Sequence, residues 1–331
     1  MTAAINHSLR VLTIIPGEEQ GSSFIFAKRQ AESIKAKGIA STTFYLGSRT
    51  HPVLVFKEIR RFRKVVSEFK PHVIHSHYGT VSAFIPAYFS SVPLIITLQG
   101  SDINYTPADG FFRDLVGRLL TQFSCLRAKK IICVSKRLKE KLWNKKNAIT
   151  IANGINLSHF ELIKKDEARK ILGWKQDELI VLFNANNPVI KRLDIAQAAI
   201  ALVKKSLANA RLEILKGGID PQKIPVYLNA ADCLLICSDN EGSPLIVKES
   251  LACNLPVCGT DVGDVFERIE ETFPVAMVAQ QVNEIAFGLV DLLNKNVRSN
   301  GRQVLIKQEL DDQMVADKII KLYKDACKWK D

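Results

Sequence analysis

Short apolar runs alternate with helix-patterned segments along this chain, and that alternation limits the fold more than any other feature. V-L-T-I-I-P, S-T-T-F-Y-L, H-V-I-H-S-H, P-L-I-I-T-L-Q, I-I-C-V-S and A-I-T-I-A follow one another through the first half. Most lack the in–out alternation of a strand with one wet face, and strands buried on both faces read this way. Between them lie helical stretches near Phe24–Lys37, Phe56–Lys70, Thr80–Phe89 and Phe111–Arg127, and then K-R-L-K-E-K-L. This order predicts an α/β protein with a doubly wound parallel sheet. The turn-rich stretch N-G-I-N-L-S-H-F (Asn153–Phe160) breaks the pattern, which then restarts. A helix near Asp166–Leu172, the strand Leu179–Asn184, a helix near Asp194–Ser206, R-L-E-I-L and a helix near Pro225–Asn229 follow. At 331 residues the chain is long enough for two ordinary domains, expected over 1–155 and 156–310. A last helix over 311–331 places Met314, Ile319, Leu322, Tyr323 and Cys327 along one side.

Charge separates the halves. Residues 1–155 hold 23 basic and 9 acidic side chains, a net of +14, and the remainder nets −2. An anionic surface partner is expected for the first half alone. Phe56–Lys70 sets Ile59, Phe62, Val66 and Phe69 at helical spacing, with Lys57, Arg60, Arg61, Arg63, Lys64 and Lys70 around them. Its basic face could meet anionic headgroups while its apolar face packs inward. Arg127–Lys146 is the second basic segment. No nucleic-acid partner is expected, because no recognition motif accompanies the charge. The start, Met1–Ser8, is polar, and no apolar run reaches membrane-spanning length. The seven cysteines form no C-x-x-C pair, and most lie in apolar runs. Buried reduced thiols fit a cytoplasmic protein, with a peripheral place on the inner face of the plasma membrane left open. No metal site and no cofactor are expected.

The chemistry concentrates in S-D-N-E-G-S-P-L-I-V-K-E-S-L-A-C (Ser238–Cys253). It follows the apolar run A-D-C-L-L-I-C, so it sits at the carboxyl end of a strand, where open α/β sheets bind ligands. Ser243 is expected as helix N-cap, with Pro244 in the first helical position. The amides of Leu245 and Ile246 then point out of the helix N-terminus, an anion site suited to a diphosphate. Glu241 lies in the loop with Gly242, and Glu249 about one and a half turns inside the helix. Carboxylates would repel a bare anion but accept hydrogen bonds from hydroxyls. A ligand with both a diphosphate and hydroxyls is a nucleotide sugar.

This segment resembles the E-x7-E signature of retaining glycosyltransferases of family 4, and within them bacterial members acting in surface-polysaccharide or teichuronic-acid assembly. The resemblance implies the GT-B fold: two Rossmann-like doubly wound parallel-sheet domains with a cleft between them, and a terminal helix that crosses back to the first. It implies that Glu241 meets the donor sugar's hydroxyls and Glu249 the ribose. Lys191, in N-N-P-V-I-K-R (Asn186–Arg192), falls where the family's diphosphate-binding lysine stands. Asn186 replaces the usual arginine, and Arg192 could supply that charge. T-L-Q-G-S-D (Thr97–Asp102) resembles the family's T-x-H-G-S-D with Gln99 in place of histidine, which leaves hydroxyl positioning but no proton transfer there. His77, Tyr78 and Asp102 are candidates for the acceptor side, and Gly17 and Gly21 for a close backbone approach. The short link from Gly218 to Asn229 omits a helix–strand pair common in the family, which puts the nucleobase in doubt.

The expected activity is metal-independent, retaining transfer of a sugar from a nucleotide-diphosphate donor, UDP-linked, to a glycan or lipid-linked acceptor in polysaccharide biosynthesis. Lys191 and the helix N-terminus would stabilise the leaving diphosphate, and domain closure would exclude water. Two alternatives stand: a nucleotide-sugar 2-epimerase of the same fold, and a non-catalytic partner subunit.

Overall fold

A computed structural model describes residues 8–21, 23–48, 50–105 and 110–329. The polar start, Met1–His7, lies outside the described residues. The chain forms two compact units, Met1–Gly154 with Asp312–Asp331, and Ile155–Asp311.

The first unit runs β1 (Arg10–Pro16), α1 (Ile25–Ala36), β2 (Ala40–Leu46), α2 (Pro52–Phe69), β3 (Val73–His77), α3 (Thr80–Phe89), β4 (Leu94–Leu98), α4 (Phe111–Arg127), β5 (Lys130–Cys133), α5 (Lys136–Glu140) and β6 (Ala148–Thr150). Its strands form one parallel sheet in the order β2-β1-β3-β4-β5-β6. Side chains alternate between the two faces. Leu12, Ile14, Ile74 and Ile96 pack under α2, α3 and α5. Val11, Val73, Ile95 and Ile132 pack against Ile34 of α1 and against the terminal helix α14 (Asp312–Cys327).

The inward face of α14 holds the expected Ile319 and Tyr323, with Leu322 and Cys327 packed beside them, but it is completed by Val315, Ala316 and Ala326 rather than by Met314. Met314 is exposed. Two alanines, small enough to let the helix approach the sheet, take positions that a search for large apolar residues passes over. Helix α2 behaves as its spacing implied: Phe62 is fully buried, and Ile59, Val66 and Phe69 pack against the core. Its outer face is left with exposed basic side chains.

The second unit runs α6 (Lys165–Leu172), β7 (Leu179–Asn184), α7 (Pro188–Lys191), α8 (Leu193–Val203), β8 (Ala210–Leu215), a 3-10 turn (Pro221–Lys223), α9 (Ile224–Ala230), β9 (Cys233–Ile236), α10 (Leu245–Ala252), β10 (Val257–Gly259), α11 (Val265–Ile269), β11 (Val275–Met277), α12 (Val282–Lys295) and α13 (Gly301–Lys307). Its parallel sheet has the order β11-β10-β9-β7-β8. Strand β8 is the edge, and among the described residues no strand lies beyond it. Within N-N-P-V-I-K, Pro188–Lys191 folds as the short helix α7, which Asn187 caps by accepting from the Ile190 amide at 3.3 Å.

Both sheets reverse direction once. The switch lies between β1 and β3 in the first unit and between β7 and β9 in the second. Loops leaving adjacent strands at a switch run to opposite faces and open a crevice between them. Helix α7, which follows β7, ends on Lys191, and the loop after β9 carries Glu241.

Candidate functional site

In the second unit the switch point brings Lys191 and Glu241 together. The Asp239 amide donates to the Ile190 carbonyl at 2.8 Å, tying the loop after β9 to α7. The Lys191 ammonium then ion-pairs with Glu241 Oε1, and Ser238 Oγ donates to the same oxygen at 2.8 Å. Both side chains are mostly buried, 17% and 11% exposed. An ammonium has three donors, so the pair leaves N–H groups of Lys191 available to a second anion. Glu249 lies on α10, half-buried.

Arg192 is placed differently from its neighbour. It adopts φ +59°, the break between α7 and α8. Its guanidinium holds Asp194 at 2.8 and 3.0 Å and Asp239 at 3.2 Å. The hydrogen bonds it donates to Asp194 and then Asp239 raise its pKa above the usual arginine value. Asn186 turns its amide to Asn184 Oδ1 at 3.1 Å.

Ser243 is not the N-cap of α10. Pro244 holds that position with no side-chain cap. The Ser243 hydroxyl is taken by a buried network instead. It donates to Asp264 Oδ2 at 2.7 Å and accepts from Lys248 Nζ at 2.7 Å. Arg268 Nε lies 3.3 Å from the same Asp264 oxygen. A charged group this deep must be paired, and the pairing fixes Gly242–Pro244 from beneath. The amides of Leu245 and Ile246 remain in the first turn of α10, where helix geometry gives them no intrahelical acceptor.

Sequence reasoning missed Lys248, Asp264 and Gly263. The signal for Lys248 was present: it shares a helix face with the fully buried Leu251 and Ala252, where a lysine needs a partner. Gly263, at φ +59°, lets the loop after β10 close on the loop after β9. A Cβ there would lie 2.8 Å from the Gly242 carbonyl and 2.9 Å from Glu241 Cβ. Gly263→Ala is therefore expected to lower stability by about 1–2 kcal/mol from the left-handed backbone alone. It should also weaken nucleotide binding about tenfold or more by pushing Glu241 off Lys191; thermal melts and calorimetry with UDP check both effects.

In the first unit, the loops after β1, β3 and β4 carry the remaining candidates. Gly17 and Gly21 both sit at φ +94°. Lys28 Nζ ties their loop down through the carbonyls of Glu19 and Gly21 at 2.9 and 3.0 Å. Asp102 is fully buried and accepts from the amides of Gly79, Gln99 and Gly100 at 2.9–3.2 Å. Burial raises its pKa, and those backbone bonds oppose the shift. The carboxylate orders the two loops from within. Gln99 Oε1 accepts from Asn153 Nδ2 at 2.8 Å, and Gln99 Nε2 is buried without a partner. Tyr78, at φ +84°, shares a hydrogen bond of 2.8 Å with Ser101.

His75 and His77 stack at 4.4 Å inside β3. Tyr323 and Thr97 take both nitrogens of His75, at 2.6 and 2.7 Å. Both nitrogens of His77 are buried and unbonded. Desolvation lowers the His77 pKa to about 3 and, joined by repulsion from His77, holds that of His75 well below the usual value.

Comparison with known proteins adds the family. Residues 16–159 match the model Glycosyltransferase Family 4, and residues 196–295 match Glycosyl transferases group 1. TuaC of Bacillus subtilis, provisionally assigned as a teichuronic acid biosynthesis glycosyltransferase, is 29% identical over 59% of this chain and 54% of its own. The alignment thus spans about half of that relative. A sucrose-phosphate synthase from Thermosynechococcus elongatus superimposes with a TM-score of 0.76 at 19% identity, over 96% of this chain and 98% of its own. HepE of Anabaena, solved with UDP and glucose, gives 0.70 at 14% identity, over 95% and 99%. Two Rossmann-like units and two successive matches converge on one assignment: the chain carries a Glycosyltransferase Family 4 domain followed by a Glycosyl transferases group 1 domain, on a GT-B fold.

Proposed function

We propose that this protein is a retaining glycosyltransferase that moves a sugar from a nucleotide-diphosphate donor, UDP-linked, to a glycan or lipid-linked acceptor in polysaccharide biosynthesis. The observation that carries the reading is the Lys191–Glu241 pair at the β7/β9 switch point, beside the start of α10. Lys191 and the α10 amides supply positive potential for a leaving diphosphate. Glu241 and Glu249 supply acceptors for sugar and ribose hydroxyls. HepE, of the same fold, was solved with UDP and glucose, and TuaC supports a role in assembling a surface polymer.

Retention in this reading comes from attack on the face that the diphosphate leaves. Glu241 is engaged by Lys191 and Ser238 and serves to bind the sugar rather than to attack it. The leaving group is stabilised by the ammonium and the helix amides, without a metal ion. No helix among the described residues is long and apolar enough to cross a membrane, and attachment to an anionic inner membrane face is proposed to be peripheral.

The test is product analysis with UDP-sugars and isolated membrane lipids. Acceptor-dependent UDP release with an α-linked product, read by NMR, is expected. Donor turnover to its C2 epimer with no acceptor present would sink the transfer reading.

A further inference from the structure

Helix α4 is turned inside out. A surface helix ordinarily buries its apolar stripe and shows its polar side. Here the buried positions are Asp114, Thr121, Gln122, Ser124 and Cys125. The outer stripe is Phe112, Val116, Leu119, Phe123 and Leu126, 36–80% exposed. Their spacing of four and three residues places them along one side.

The inversion is built in, because the inward polar groups hold neighbouring segments. Thr121 Oγ1 donates to the Asp102 carbonyl at 2.9 Å and accepts from the Thr80 amide at 2.8 Å. Gln122 donates to the Lys141 carbonyl at 2.9 Å and accepts from the Trp143 amide at 3.1 Å. Ser124 Oγ donates to the Leu120 carbonyl of α4 itself at 2.6 Å, which satisfies the hydroxyl on the buried side. With these contacts fixed, α4 cannot rotate its apolar side inward.

The stripe ends at a cavity of about 490 Å³. Val81, Phe112, Val116 and Leu120 form its apolar wall. Thr50, Tyr78, Thr80, Ser101, Arg113, Arg118 and the carboxylate of Asp114 form its polar wall. Tyr78 and Ser101 follow β3 and β4, so the cavity opens at the carboxyl end of the sheet. Asp114 engages one side of Arg118 at 2.8 Å, whereas Arg113 has no ion-pair partner among the described residues. Beside the stripe, Trp143 packs edge-on against Phe123, and Arg127 lies over the Tyr88 ring. Aromatic rings with a polar edge collect at the water–lipid boundary.

We propose that the acceptor is a membrane lipid with a phosphate head: Arg113 and Arg118 receive the phosphate in the cavity, and the bilayer covers the Phe112–Leu126 stripe. Charge decides the occupant. Helix α4 exposes arginines around its stripe, and its one carboxylate, Asp114, is buried. The exposed Lys136, Arg137, Lys141 and Lys146 follow in sequence. A second copy docked on the same face would bring like charges together, whereas an anionic bilayer complements them. The word acceptor rests on the glycosyl-transfer reading; the lipid contact does not.

Flotation of the full chain with three vesicle types tests both halves: phosphatidylcholine alone, and phosphatidylcholine with either phosphatidylglycerol or an isoprenyl phosphate. Wild type should bind both anionic vesicles at least about tenfold more tightly than the neutral one. Phe123→Asp should lose about tenfold or more on both anionic vesicles, with an unchanged melting temperature. Arg113→Ala should keep its phosphatidylglycerol binding within about twofold and lose the additional affinity for isoprenyl phosphate. Equal binding to neutral and anionic vesicles overturns the membrane contact. So does an unaffected Phe123→Asp, or a wild-type dimer that this substitution dissociates. Isoprenyl phosphate binding no tighter than phosphatidylglycerol, or unchanged in Arg113→Ala, overturns the cavity assignment. UDP binding is measured on the same preparations. Its absence would remove the glycosyl-transfer reading and leave the vesicle result standing.

Discussion

Lys191→Met is expected to lower the transfer rate about 100- to 1000-fold, the loss typical when one preorganised donor to a developing anion is removed. Methionine keeps much of the lysine stem, so packing beside Ile190 changes little and the charge is what disappears. The diphosphate then departs without its ammonium, and Glu241 keeps Ser238 as its donor. Arg192→Met is the control. Its guanidinium is held by Asp194 and Asp239, an exposed arrangement of small energetic weight, and the expected loss is under about tenfold. Steady-state rates for both variants with one UDP-sugar decide the matter. Equal losses at the two positions contradict the division of roles.

Acid should destabilise the first unit through β3. His77 is fully buried, and desolvation holds its folded pKa at about 3, below the ordinary histidine value of 6.5. The unfolded chain therefore binds the proton first. Stability conferred by a neutral His77 is complete above about pH 6.5 and falls as pH drops toward 3. By pH 5 the loss from this one group is about 2 kcal/mol. His75, shifted in the same direction, adds to it. His77→Phe removes two unbonded nitrogens from a dry site and should remove that part of the slope. Urea unfolding of both proteins near pH 7 and pH 5 measures the His77 contribution together with the part of the His75 shift that repulsion from His77 causes. A wild type and a variant that lose the same stability would show that water reaches His77.

The sheets were legible because apolar runs such as C-L-L-I and L-I-I-T-L have no use except as strands buried on both faces. Spacing and helix geometry act locally, and they placed Glu241 in the loop before α10 and Glu249 within it. What escaped notice depends on pairings distant in sequence. Ser243 reads as a cap until Asp264, 21 residues on, claims its hydroxyl. Gly263 looks like any turn glycine until the Gly242 carbonyl is seen beside it. Arg192 and Lys191 are indistinguishable as adjacent cations, and only the left-handed turn at Arg192 sends one to Glu241 and the other to Asp194. Helix α4 shows the same limit. Its periodicity is plain, but periodicity does not say which side faces the core. Here the hydrogen bonds of Thr121 and Gln122 to other segments outweigh the usual burial of Phe and Leu.

The central claim is that the second unit binds a nucleotide sugar through the loops after β7 and β9 and the start of α10. Calorimetric titration of wild type and Glu249→Ala with a panel of nucleotide sugars tests it most directly. One member of the panel should bind, and the substitution should weaken it by about 1.5–3 kcal/mol, the worth of hydrogen bonds to a charged group. Absence of binding by every nucleotide sugar, or equal affinity of the two proteins, would contradict the claim.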